Sequence, residues 1–156
     1  MNKQQLAAKI WESANQMRSK IEANEYKDYI LGFIFYKYLS EQEEKWLRNN
    51  SYETEDIQKY VNENAPDIYS GKSILQQNLG YFISYENLFS TWIQKGVDFS
   101  IDDVSVALSA FNRLISPTHK KVFEGIFQTL EVGLSKLGEN AKMQSKAASD
   151  LIHLID

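Results

Sequence analysis

The run Tyr29 to Leu39, Tyr-Ile-Leu-Gly-Phe-Ile-Phe-Tyr-Lys-Tyr-Leu, constrains the fold more than any other stretch, because only Gly32 and Lys37 interrupt its large apolar and aromatic side chains. As a helix such a run is apolar nearly all round and requires partners on several sides. A buried strand is the local competitor, given so much Tyr, Phe and Ile. The pattern, however, continues through Glu43, Glu44, Trp46 and Leu47, too long for a strand and normal for a helix. Glu25–Leu47 is therefore expected to be the central helix, with Phe35 in the core and Phe35→Ala costing roughly 3 to 5 kcal/mol. The run is about half the length of a bilayer span and is flanked by Lys27, Asp28 and Glu41, which argues against a membrane helix.

With 156 residues, 43% hydrophobic and 13% aromatic, the chain can bury a core as a single domain and lacks the composition of a disordered one. It has no cysteine, which fits a reducing, cytoplasmic setting. The N-terminal Met-Asn-Lys-Gln-Gln-Leu carries no apolar export signal. A net charge of −4 is a poor start for a free-standing nucleic-acid binder, whose non-specific affinity comes from clustered Lys and Arg. Glu41, Glu43, Glu44, Glu53, Glu55 and Asp56, diluted only by Lys45 and Arg48, read as a solvated helix end and connection. A docking surface for a basic partner is the competing reading of that stretch.

Taken in order, Leu6, Ile10, Ala14, Met17 and Ile21 give one apolar face to a first helix over Gln4–Ala23, widened by Trp11. Asn24 can cap the central helix, and the short joint implies that the first two helices fold back as a hairpin. Thr54-Glu55-Asp56 opens a short third helix that Pro66 obliges to stop by about Asn64 or Ala65. From Pro66 to Gly80 there is no clean period, so a loop is expected, with a turn of helix around Ile74 and Leu75. Leu88, Phe89, Trp92 and Ile93 mark a fourth helix ending before Gly96. Ser100-Ile-Asp-Asp103 caps a fifth that Pro117 closes, and Val122, Phe123, Ile126, Phe127 and Leu130 form a sixth, interrupted by Gly125. Ala147, Ala148, Leu151, Ile152 and Ile155 begin a last amphipathic run that stops at Asp156, which reads either as a domain cut from a longer polypeptide or as a natural C-terminal helix. The expected architecture is all-α: an irregular bundle of about six to seven helices around Glu25–Leu47, with at most one very short extended segment near Tyr81–Ile83.

Chemical motifs are sparse. Gly71-Lys72-Ser73 resembles the end of a phosphate-binding loop, but Pro66 stands where that motif needs its first glycine. His119 and His153 are the only histidines, so a metal site would rest mainly on carboxylates, and no catalytic, cofactor or metal residue is assigned. The densest basic group is Arg113 with His119, Lys120 and Lys121; Arg18, Lys20 and Lys27 around the first hairpin are a second, and His119 is expected to be exposed. Both groups read as ordinary solvated charge or as contacts to phosphate. Lys37 stands one turn from Phe33 and one from Glu41, so its stem can cross Phe33 and its ammonium pair with Glu41 at the surface, leaving it free to serve a contact surface.

Trp11, Ala14 and Met17-Arg18 on one helix, then Tyr26, Ile30-Leu31-Gly32, Phe35 and Lys37-Tyr38-Leu39-Ser40 on the next, carry a resemblance. The chain resembles the N-terminal domain of the modification (M) subunit of type I restriction-modification systems. Lys-Tyr-Leu-Ser is the most specific part; Asn15 and Glu41 stand where the family often has aspartate, and Met17 where it has leucine. The resemblance implies a helical domain over residues 1–156, the N-terminal part of a longer chain. The methyltransferase domain that follows in the family transfers a methyl group from S-adenosylmethionine to adenine N6 in DNA. Its Asn-Pro-Pro-aromatic motif is not in this stretch, where Pro66 and Pro117 are the only prolines, so family catalytic and cofactor residues fall on no position here. The implied role is a scaffold that helps the complex assemble and clamp DNA. The implied partners are a specificity subunit, a second M subunit and a restriction subunit, and the implied setting is cytoplasmic. A free-standing helical nucleic-acid-binding or adaptor protein, using Arg113, His119, Lys120 and Lys121, is the rival reading.

Overall fold

The computed structural model describes residues 3–8 and 23–156, the side chains of 23–26 excepted. Residues 3–8 are helical (α1), so the first expected helix is represented by its start alone; Trp11, Ala14, Met17, Arg18, Lys20 and the expected hairpin packing lie outside the described residues. The central helix, α2, runs Ala23–Asn49, and Asn24 is helical rather than a cap. After it come α3 (Thr54–Tyr60), α4 (Asp67–Ser70), α5 (Lys72–Asn78), α6 (Phe89–Lys95), α7 (Ile101–Arg113), α8 (Lys120–Phe123), α9 (Gln128–Gly133) and α10 (Ala141–Ile155). There is no strand among the described residues.

Of the sequence-predicted helices that the structure describes, α2, α3, α6, α7 and α10 fall where they were expected. Two short helices occupy Pro66–Gly80: α5 contains the turn expected around Ile74 and Leu75 and extends it to Lys72–Asn78, while α4 stands where loop was expected. Gly71, at φ 70°, ends α4, and Asp67 Oδ1 accepts the Ser73 amide at 2.8 Å, so Gly71-Lys72-Ser73 is the joint between α4 and α5. The sixth expected helix is two, α8 and α9, separated at Gly125, where φ is 76°. Ser100 and Asp103 form the expected capping box of α7, the Ser100 amide donating to Asp103 Oδ2 at 2.9 Å.

Helix α2 packs against α6, α9 and α10. Its inner face carries Tyr29, Phe33, Tyr36, Ser40, Glu43 and Leu47, at alternating steps of four and three, all buried. Trp92 from α6 stacks on Tyr36, with ring centroids 4.7 Å apart, and meets Phe33 edge-on. Phe111 and Phe127 close the other side of Tyr36. Gly32 admits α9, since a Cβ there would come within 3.0 Å of the Leu130 side chain. Phe35, expected in the core, is 41% exposed, and it is Phe33, one half-turn away, that is fully buried. The reason is angular: steps of three and four from Tyr29 lead to Phe33 and Tyr36, and Phe35 falls on the opposite side.

The polar groups on the inner face of α2 anchor an irregular segment, Tyr81 to Ser84, which is buried. Glu43 Oε1 accepts the Ile83 amide at 2.7 Å and Ser40 Oγ the Phe89 amide at 3.2 Å. The Tyr36 hydroxyl donates to the Asn87 carbonyl and the Tyr81 hydroxyl to the Leu39 carbonyl. Glu43, assigned from sequence to a solvated acidic stretch, is therefore fully buried, because the amide it serves belongs to a buried backbone that no sheet pairs. Gly80, at φ 96°, starts this segment: a Cβ there would lie 2.6 Å from the His119 ring.

Burial pushes the Glu43 carboxyl well above the ordinary carboxylate range; the Ile83 amide opposes this, and the charge of Glu44 adds to it. The folded chain thus holds this proton more tightly than the unfolded chain. The group's contribution to stability is fully present below the unfolded value of about 4.3 and is lost as pH rises through the folded value, at up to about 1.4 kcal/mol per pH unit. Glu43→Gln keeps the acceptor for Ile83 and removes the titration. In urea unfolding across a pH series, stability relative to wild type is expected to rise with pH for Glu43→Gln; parallel profiles would contradict the burial. In the same assay Phe33→Ala should cost roughly 3 to 5 kcal/mol and Phe35→Ala only about 1 to 2.

Candidate functional site

With its inner face committed to the core, α2 leaves one side open. Lys27, Leu31, Phe35, Tyr38, Gln42 and Lys45 follow one another at steps of four, four, three, four and three, which places them on one stripe of the helix. Leu31 and Tyr38 are each 53% exposed, an unusual state for three large apolar residues in sequence along one face when Phe35 is counted with them. Phe35 is held in place: its ring stacks on Tyr38 at 6.4 Å and meets Phe127, a core residue, at 6.0 Å. Lys27 and Lys45, at the two ends of the stripe, are exposed and enter no ion pair among the described residues.

The basic residues selected from sequence divide into engaged and free. Lys37 pairs with Glu41 at 2.7 Å, as its spacing predicts. Arg113 makes a two-pronged contact with Glu63, at 2.6 and 3.1 Å. That hydrogen bond holds the Glu63 carboxyl below its usual value and raises the guanidinium's own. Arg113 is thus occupied, which weakens the group it was expected to form with His119, Lys120 and Lys121. His119 is half-buried rather than exposed; its ring stacks on Phe123, and Nδ1 lies 3.0 Å from the Thr118 hydroxyl. Its place is set by the turn after Pro117, which lays the imidazole over Gly80. Lys120 and Lys121 are exposed on α8. His153 is exposed on α10, where Nδ1–H donates to the Ser149 carbonyl at 2.8 Å. Arg18 and Lys20 lie outside the described residues.

Two shallow clefts lie near the C-terminal helices, one beside α9 and one at the turn into α10. One, of about 210 Å³, is lined by Asp28, Tyr29, Thr129, Val132 and Gly133, with the Tyr29 hydroxyl donating to the Gly133 carbonyl; the other, of about 350 Å³, lies at Leu137, Gly138, Glu139 and Met143. Among the described residues no cluster of three His, Asp or Glu side chains has the geometry to hold a metal ion. No described helix is long and apolar enough to cross a membrane. The open stripe of α2 is the feature with the chemistry of a docking surface, and sequence reasoning missed it. The signal was present in the 31, 35, 38 spacing between Lys27 and Lys45, but it was read as part of an all-round apolar helix.

Comparison with known proteins adds the following. Residues 6–155 match the family described as the HsdM N-terminal domain. The chain is 26% identical over 160 aligned residues to the type I restriction enzyme MpnII methylase subunit of Mycoplasma pneumoniae; the match covers 95% of this chain and 29% of that protein. It also superposes, with a TM-score of 0.77 and 24% identity, on a crystal structure of the type I restriction-modification system methyltransferase subunit from Streptococcus thermophilus, covering 99% of this chain and 34% of that one. The second likeness establishes the all-α fold. The chain spans about a third or less of the length of both.

The two sides of α2 should respond differently to substitution. Lys37→Met removes an ion pair at the surface and is expected to change stability by about 0 to 1 kcal/mol. Tyr36→Phe leaves the buried Asn87 carbonyl without its donor and is expected to cost about 1 to 3 kcal/mol. Thermal or chemical unfolding of both variants checks this; equal losses would contradict the assignment of faces.

Proposed function

This chain belongs to the HsdM N-terminal domain family, and from that membership we propose that it is the helical assembly domain of a type I restriction-modification methylase subunit. In this reading the full-length protein transfers a methyl group from S-adenosylmethionine to adenine N6 in DNA. The catalytic and cofactor groups reside in a methyltransferase domain outside these 156 residues. The chain's own part is to give the complex a preformed helical surface, through which the subunit joins a specificity subunit, a second methylase subunit and a restriction subunit and closes on DNA. The cytoplasm is the proposed setting.

The observation that carries the proposal is the family match over residues 6–155, nearly the whole chain, combined with a curated relative that is a methylase subunit several times as long. The geometry supports it: the aromatic core and the anchored segment 81–90 hold α2 rigidly, and α2 then presents an ordered open face. Arg113, the strongest cation of the rival phosphate-binding group, is instead bound to Glu63.

Two measurements test it. The full-length subunit lacking residues 1–156 is expected to fail to assemble with its specificity subunit or to methylate DNA in a radiolabelled methyl-transfer assay. The 156-residue chain alone is expected to bind no S-adenosylmethionine in calorimetry. Methyl transfer by the chain alone, or full assembly and activity without it, would overturn the proposal. So would sub-micromolar binding of the chain to duplex DNA at physiological salt, which exceeds the non-specific range of about 10⁻⁴ to 10⁻⁶ M.

A further inference from the structure

We infer that the open stripe of α2 is a seam for one amphipathic partner helix, whose apolar ridge packs on Leu31, Phe35 and Tyr38 and whose carboxylates, near the two ends of that ridge, pair with Lys27 and Lys45. The inference rests on the assembly role above and gives it a surface and a partner chemistry.

Three observations carry it. The first is geometric. Lys27 to Lys45 is 18 steps along the helix, about 27 Å at 1.5 Å per step, long enough for several turns of a partner laid alongside. Anchors at steps of four and three are the pattern by which helices receive helices. The second is order. Phe35 is fixed between Tyr38 and the core ring of Phe127, so little side-chain freedom remains to be lost on docking.

The third observation is charge, and it selects the occupant. Three described acidic side chains of α2 near the stripe are engaged: Glu41 with Lys37, Glu44 with the Ser90 hydroxyl, and Glu43 with the Ile83 amide. Asp28 lines the cleft beside α9. Lys27 and Lys45 are left without an ion pair among the described residues, at opposite ends of an apolar ridge. A second copy of the same stripe is a poor match. Packed antiparallel it sets Lys27 against Lys45, and packed parallel it sets each lysine against itself; like charges facing each other across an interface are unfavourable. A helix with carboxylates spaced to meet both lysines satisfies the charges in either direction.

The test uses two synthetic helical peptides, each about 22 residues and thus able to span the seam, sharing one leucine-rich ridge and differing in glutamate or lysine at both ends. Fluorescence anisotropy with the 156-residue chain is expected to show the glutamate peptide binding at least about tenfold more tightly, with the gap closing as salt rises. The double variant Lys27→Glu, Lys45→Glu should reverse that preference. Leu31→Ser with Tyr38→Ser should abolish binding of both peptides, with circular dichroism unchanged because these side chains are already exposed. Equal affinity for the two peptides, or no binding of either, would overturn the inference. So would a concentration-dependent dimer that Leu31→Ser dissolves, which assigns the stripe to a second copy. Peptide binding that emerges only when Ile10 and Met17 are changed to Glu would assign it instead to the chain's own N-terminal segment. If the peptides show no preference while assembly still depends on residues 1–156, the seam alone falls; if assembly is independent of those residues, the broader reading falls whatever the peptides do.

Discussion

The hydrogen bond from the Ile83 amide to the Glu43 carboxyl is the constraint on which the rest of the architecture depends. The segment from Tyr81 to Ser84 runs through the interior without a strand to pair with, and a buried backbone amide must find an acceptor. Helix α2 supplies it from a side chain. Ser40 and Tyr36 do the same for Phe89 and Asn87, and the Glu63 amide donates to the Ser84 hydroxyl. One face of one helix thereby substitutes for the ladder that a sheet would have provided. The cost is a carboxyl group in the core, with Oε2 left without a partner, which is tolerable in its protonated form.

This arrangement explains which parts of the fold were legible in the sequence. The existence and length of α2, the capping box at Ser100, and the final amphipathic helix follow from periodicity and cap chemistry. They depend on local physics that any neighbour would leave unchanged. The orientation of α2 was not legible. A run that is apolar nearly all round gives no angular contrast, so Phe33 and Phe35 look equivalent until the neighbours are known. The polar residues then mislead, because Ser40 and Glu43 point inward to serve backbone while Leu31, Phe35 and Tyr38 point outward. The usual rule that the polar side faces water is inverted along two turns of the helix. Helix α4 was missed, and α5 was legible only as a turn around Ile74 and Leu75, for a different reason: four and seven residues hold too few periods for a full pattern to emerge.

The same contrast governs the candidate contact residues. Spacing alone identified Lys37 with Glu41, because a one-turn step on a helix is a local matter. It could not identify Arg113 with Glu63, which are 50 residues apart. A cation engaged across the fold drops out of any surface set, and His119 drops out likewise once its ring covers Gly80. Resemblance located the motif Lys37-Tyr38-Leu39-Ser40, and the structure shows that its members do unlike things. Ser40 and Leu39 are buried, Lys37 is paired, and Tyr38 is open.

That division within four consecutive residues is what a scaffold requires. If α2 drew its stability from all sides, as the sequence suggests, any partner would have to displace part of the core in order to bind. Here the stabilising contacts lie on the face of Tyr29, Phe33, Tyr36, Ser40, Glu43 and Leu47, so the opposite stripe can change its contacts without loosening the bundle. The aromatic stack of Tyr36 on Trp92 fixes the helix from within, and Phe35 links the two faces through Phe127. A chain of net charge −4 can then keep cations in reserve at Lys27 and Lys45, because Glu41, Glu43 and Glu44 are engaged by Lys37, the Ile83 amide and the Ser90 hydroxyl. Stability and assembly are in this way carried by different sides of one helix, and selection can act on one without the other.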